Sequence, residues 1–347
     1  MLIGAAVAAL LVLPATAADN GWVVWPTKTF QANSLRVEDI VGNVHVNVQD
    51  GPMRVDVSGS RQMIAGVTLK NDGGVLRIQG GAYDNVNVWD WKKWFDFSNI
   101  QDERNGKLFV KVTVPRGTDV RVEDSIGDTT IGDTFGKVHL ETTAGSASVG
   151  RTSEAHIEMN GSGKASIGDV QGDLHLEIAG SGHLVGHNAG HVHAEIAGSG
   201  DAVMASVATG ISVDITGAGD FAAQRVNGPV KVDIAGSGTV QIADGLANPL
   251  HVDILGAGDF RFGGLAVDPR ISAMGSGNVK IKAYKGSFKN DGMADVQIGD
   301  QNFPGAGHPP MPPMPPMPPM PPHGPHAAPP PPPPPAHHSD DDDDDDN

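Results

Sequence analysis

ISVDITGAGDF (211–221), VKVDIAGSGTV (230–240) and LHVDILGAGDF (250–260) are three copies of one pattern. An alternating apolar run ends in Gly-Ser/Ala-Gly, and a second short apolar run follows. The first glycines of the tripeptide stand at Gly161, Gly180, Gly198, Gly217, Gly236, Gly256 and Gly275, so successive spacings are 19, 18, 19, 19, 20 and 19. Gly145-Ser146 is a degenerate earlier copy. A fixed period of this kind marks a solenoid, in which each repeat buries its apolar face only against its neighbours. Helical repeats are longer and lack this glycine frequency.

Within each copy the apolar residues fall two apart, which puts them on one face of a strand. Three columns result: Leu174, Val192, Ile211, Val230, Leu250; Ile157, Leu176, Val213, Val232, Val252, Ile271; and Ile178, Ile196, Ile215, Ile234, Ile254. After the turn, Leu184, Phe221, Val240, Phe260 and Val279 supply a fourth. The expected fold is an all-β, right-handed parallel β-helix of about eight coils, each about 19 residues. The glycines are read as corner residues. They are not read as phosphate loops, because no helix follows them.

Between the apolar columns lie two polar ones. The first reads His156, His175, His193, Ser212, Lys231, His251, Arg270, and the second Glu158, Glu177, Glu195, Asp214, Asp233, Asp253. Stacked carboxylates about 4.8 Å apart repel by about 0.9 kcal/mol per neighbouring pair in water. The paired columns therefore suggest a weak divalent-cation or pH-responsive strip, with His156, His175, His193, Glu158, Glu177 and Glu195 as candidate ligands. An ordinary wet face of a sheet accounts for the same alternation. HLVGHNAGHVH (183–193) adds His183, His187 and His191, whose intervals of four suit a helix better than a strand. Asp214, Asp233, Asp253, Lys231 and Arg270 resemble the carboxylate clusters of sugar-cleaving β-helices, yet a ladder supplies such separations automatically.

Outside the repeat the chain divides by composition. Leu2–Leu13 is an apolar run ended by Pro14 and followed by Ala15-Thr16-Ala17, so 1–17 reads as a secretory signal without the usual basic start. Residues 19–105 form an N-terminal β region and cap, and 106–300 form the β-helix. The cap includes Trp22, Trp25 and the stretch WDWKKWF, where Trp89, Trp91, Trp94 and Phe95 can cover an open coil end or stack on sugar rings. Residues 304–347 are low-complexity, with Met-Pro-Pro copies and seven Asp at 340–346. Extended as polyproline, 308–338 spans roughly 95 Å. Its His323, His326, His337 and His338, with the Asp run, are further candidate divalent-metal ligands.

With no cysteine, disulfides, thiolate metal sites and thiol catalysis are excluded. A formal net charge of −17 disfavours nucleic acid and anionic lipid as partners. The residues after 17 hold no apolar run of 18, so a mature chain without a transmembrane segment is expected.

VEDIVGNVHVNVQDGPMRVDVSG (37–59), GVLRIQG (74–80) and the VDITGAGD- and VDIAGSG-type coils resemble the putative auto-transporter adhesin, head GIN domain family of bacterial envelope proteins. VTVPRGTDVRVEDSIGDTTIGD (112–133) is similar to a related group of β-helical proteins. The resemblance spans about residues 30–285 and implies an exported, non-enzymatic, adhesin-like protein without a cofactor. It would sit in the periplasm, at the cell surface or outside the cell, and bind a polysaccharide or other envelope component. A carbohydrate-active enzyme on the same fold and a metal-binding protein using the tail are the alternatives. Open coil ends also leave self-association as an expectation.

Overall fold

The computed structural model describes residues 16–17, 21–81 and 108–305. These residues form a parallel β-solenoid of about nine turns, with one short helix among them at Arg61–Ala65. The repeat read from the glycines is the repeat of the structure. Leu176 pairs with Ile157 and Ala194, Val232 with Val213 and Val252, and Phe221 with Ala202 and Val240. All four expected apolar columns are buried, from Leu174 and Val192 through Phe260 and Val279.

The Gly-Ser/Ala-Gly corner carries the hydrogen-bond ladder round the bend. The middle residue donates its N–H to the first glycine of the coil before, as in Ser237 to Gly217 O and Ala257 to Gly236 O, both 2.8 Å. The third glycine makes room for the core: a Cβ on Gly219 would lie 2.5 Å from Ile196 Cγ2. The middle position meets no such constraint, so it varies between Ser and Ala.

The glycine tripeptide undercounts the coils. Gly42, Gly127 and Gly145 stack at the same corner, each with positive φ, and a Cβ on Gly127 would lie 2.2 Å from Gly42 O. Strands within residues 21–81 pair directly with later coils of the stack. Ser34–Glu38 pairs in parallel with Val75–Gln79 on one side and with Asp119–Glu123 on the other. Asn43–Val48 pairs with Leu108–Val114 and with Thr129–Ile131.

Antiparallel strands close both ends. Met53–Ser60 runs against Trp22–Val24 and Leu108–Val114, and Trp22 packs on Phe109 with ring centroids 5.8 Å apart. At the other end Val296–Ile298 turns back as Gln301–Phe303, and Phe288 packs on Phe303 at 4.8 Å and Tyr284 at 5.7 Å. This second aromatic cap was not expected from the sequence. Trp89, Trp91, Trp94 and Phe95, the expected cap, lie outside the described residues, as does the tail from 306.

A second set of contacts fastens coil to coil. Asp133 Oδ1 accepts from Arg151 N at 2.8 Å, Asp259 Oδ1 from Asn278 N at 3.0 Å, and Asp268 Oδ1 from Ser287 N at 2.8 Å. In each case the donor is the residue 18 or 19 positions later, in the next coil. The bonds from Arg151, Asn278 and Ser287 hold these three carboxyls below the ordinary aspartate value. A depressed folded-state value contributes stability that is complete above the unfolded value, near 3.8, and is lost as pH falls through the folded one. Thermal melts are thus expected to drop steeply below about pH 4. The triple variant Asp133→Asn, Asp259→Asn, Asp268→Asn keeps an acceptor without a titrating group, so its acid loss should be shallower. An equal slope would show that acid lability arises elsewhere. Asn227 already plays this role, accepting from Leu246 N at 3.3 Å.

A basic and acidic ladder as candidate functional site

Most coils place a base, a buried apolar residue and an acid in sequence on one parallel sheet. The triplets include Arg36-Val37-Glu38, Arg121-Val122-Glu123, His139-Leu140-Glu141, His156-Ile157-Glu158, His175-Leu176-Glu177, His193-Ala194-Glu195 and Lys231-Val232-Asp233. Strand periodicity buries the middle residue and turns the outer two to solvent. Pairing then stacks bases on bases, broken once by Ser212: Arg77, Arg36, Arg121, His139, His156, His175, His193, Ser212, Lys231, His251, Arg270 and Lys289 are consecutive rungs. The acids from Glu141 to Asp253 stack alongside. A bulge at Asp124, with φ 51°, separates Glu123 from Glu141 in register.

The structure brings together all six ladder residues expected from sequence, His156, His175, His193, Glu158, Glu177 and Glu195. The rungs before His156 were missed: Arg77, Arg36, Arg121, His139 and their acids. The base–apolar–acid triplet, which needs no glycine period, would have found all but Arg77, whose outer partner is Gln79.

Four imidazoles form a continuous stack. Ring centroids are 4.6 Å apart from His139 to His156 and from His156 to His175, and 4.8 Å from His175 to His193, with interplanar angles of 6°, 13° and 22°. Each of the last two reaches its own strand's acid: His175 Nε2 lies 2.8 Å from Glu177 Oε1, and His193 Nε2 lies 2.8 Å from Glu195 Oε1. His156 Nε2 is 4.0 Å from Glu177 Oε1. Asn160 Nδ2 donates to Glu158 Oε1 at 2.8 Å. Burial, then the Arg121 charge and the neighbouring ring, hold His139 below the usual imidazole value; burial and His175 do the same for His156. Burial followed by Glu158 pushes the Glu141 carboxyl up, and burial followed by the bond to Asp233 pushes Asp214 up.

Permanent charge adjoins the stack at Arg121 on one side and returns at Lys231, beyond Ser212, on the other. Arg121 Nε lies 2.7 Å from Glu123 Oε1, an ion pair whose N–H is not aimed at the acceptor. Arg36 approaches Glu38 at 3.4 Å and Glu123 at 3.8 Å, and Lys231 is bonded to Asp233. An open groove of about 890 Å³ crosses the rungs from Arg77 to His175, bordered by Lys70, Asp72, Asp119, Lys137, Glu154 and Asp173. A shallower depression of about 360 Å³ lies over Asp214, Asp233 and Asp253 beside Leu255 and Met274. Arg270 and Lys231 continue the base column there.

Other expected ligands do not converge in the described residues. His183 Nδ1 lies 3.8 Å from Asp201 Oδ2, and His187 and His191 join no metal-compatible cluster among the described residues. His323, His326, His337 and His338 lie outside the described residues. Among those described, no helix is long and apolar enough to cross a membrane.

No match was found among the curated proteins. Solved structures similar to this chain include a putative adhesin from Bacteroides fragilis, 15% identical, covering 63% of this chain and 96% of its own, with TM-score 0.42. A putative lipid binding protein from Parabacteroides distasonis is 15% identical and covers 78% of this chain and 98% of its own, with TM-score 0.42. A putative adhesin from the same organism is 16% identical and covers 78% and 97%, with TM-score 0.37. The model of the family described as putative auto-transporter adhesin, head GIN domain, matches residues 37–242, more than half of the 347 residues, and the chain belongs to that family.

Proposed function

We propose that this is an exported, non-enzymatic binding protein that holds a polysaccharide of the cell envelope or surface along the ladder face. The open groove across the rungs from Arg77 to His175 carries this reading. Six rungs at about 4.8 Å extend over about 24 Å, a length suited to a polymer rather than a single small molecule. Its walls combine donors (Arg36, Arg77, Arg121, Lys137) with acceptors (Asp72, Asp119, Glu154, Asp173). Hydroxyl-rich chains both donate and accept, so they match such a lining. The aromatic rings of Trp89, Trp91, Trp94 and Phe95 would add stacking surface for sugar.

The test exposes the protein to a panel of polysaccharides and scores both retention and new chain ends. Retention without new ends is expected. Replacing Arg36, Arg121 and Lys137 together with Ala should weaken retention at least about 10-fold, since hydrogen bonds to charged groups contribute about 1.5–3 kcal/mol each. New chain ends would overturn the non-enzymatic reading and direct mutagenesis to Asp214, Asp233 and Asp253. No retention on any polymer would overturn the polysaccharide reading.

A further inference from the structure

The ladder changes character in its middle. On the Arg36, Arg121 and Lys231 rungs the acid faces a permanently charged base on its own strand. On the four rungs from His139 to His193 the base is an imidazole, while Glu141, Glu158, Glu177 and Glu195 continue the acid column without interruption. None of these four strands sets a permanently charged base beside its acid, and they are the longest unbroken run of rungs that pairs an imidazole with a carboxylate, so a bound cation would relieve the stacked acids there.

The same rungs supply good metal donors. One ligand atom from each of His156, His175 and Glu177 lies within 4.8 Å of the others, and so do those of His175, His193 and Glu195. A tetrahedral zinc with bonds of about 2.0–2.1 Å separates its ligand atoms by about 3.3 Å. Side-chain rotation alone can close that difference, because these groups are half-exposed while their backbones are fixed by the parallel pairing. Two nitrogens and one oxygen suit zinc(II), nickel(II) or copper(II); calcium and magnesium favour all-oxygen shells. A fourth position is left to water, because the sheet face is open.

We propose that these two overlapping trios form a site for one divalent transition-metal ion, with His175 as the ligand common to both. A neutral imidazole offers one lone-pair nitrogen to a metal, so His175 serves one trio at a time and one ion is held. The site is independent of the polysaccharide reading, since its readout is the metal alone.

Zinc(II) is titrated into the full chain against a chromophoric chelator. The same titration is run on His175→Ala, on Glu177→Gln, and on a variant with His323, His326, His337 and His338 all replaced by Ala. One tight zinc per chain is expected. His175→Ala should weaken it well beyond 10-fold, since even partners of a ligand contribute about 10–100-fold. Glu177→Gln should weaken it less, because the trio with Glu195 survives. The tail variant should keep the tight site. Unchanged affinity in His175→Ala, or loss of the tight site in the tail variant, would overturn the proposal. If His175→Ala loses its β circular dichroism, the double variant Glu177→Gln, Glu195→Gln decides: retained tight binding there overturns it too.

Discussion

Gly236→Ala is expected to destabilise the solenoid by more than about 4 kcal/mol, a loss large enough to prevent folding of many domains. Gly236 has φ 137°, and a Cβ there would sit 2.1 Å from Gly217 O. The obstacle is backbone, so no side-chain rotation relieves it. Gly256 lies directly above, and its own Cβ position is 2.4 Å from Gly236 O. Moving Gly236 therefore disturbs the coils on both sides. Strain at the backbone alone is about 1–3 kcal/mol, and the displaced corner adds the ladder bonds from Ser237 and Ala257. Chemical denaturation measures the effect. Ser237→Ala is the control, expected within about 0.5 kcal/mol because Ala218 and Ala257 already fill that position. A Gly236→Ala protein as stable as the control would show that the corner is pliable.

Phe221→Ala is expected to cost about 5 kcal/mol, the upper end of the range for such truncations, and more than Phe260→Ala. Both rings are fully buried in the same column. Their neighbours differ. Phe260 stacks between Val240 and Val279, whereas Phe221 stacks between Ala202 and Val240. Truncating Phe221 would put two alanines on adjacent rungs and leave a void that neither can fill. Equal losses in the two variants would show that coils slide to close gaps, contrary to a stack pinned by corner bonds.

The body of the fold was legible because one physical constraint repeats. Corners without room for Cβ demand glycine every 18 to 20 residues, and inward columns demand apolar residues at fixed offsets from it. The first rungs were hidden because their corners use a lone glycine, Gly42 or Gly127, in place of the tripeptide. Their order was hidden too. Ser34–Glu38 lies between strands that begin at Val75 and Asp119, and nothing local in Arg36-Val37-Glu38 says which distant strand it joins. Nothing local in the sequence marks the aspartates Asp133, Asp259 and Asp268 as fasteners between coils. Their acceptor role depends on an N–H 18 or 19 positions away, which only stacking reveals. The six His and Glu candidates were found because they follow the same offsets as the core. The hydrogen bonds within their strands and the stack reaching back to His139 required register.

The imidazole stack also has a place in the molecule's motions. In a solenoid each coil is held only by the two beside it, so opening proceeds inward from the ends, where one neighbour is missing. The rungs from His139 to His193 have coils on both sides, three rungs of the column before them and five after. Amide protons there exchange only after outer coils have frayed or the whole stack has opened. The histidines thus ride on the slowest-opening stretch of backbone, and what remains free to move around them is the side-chain torsions.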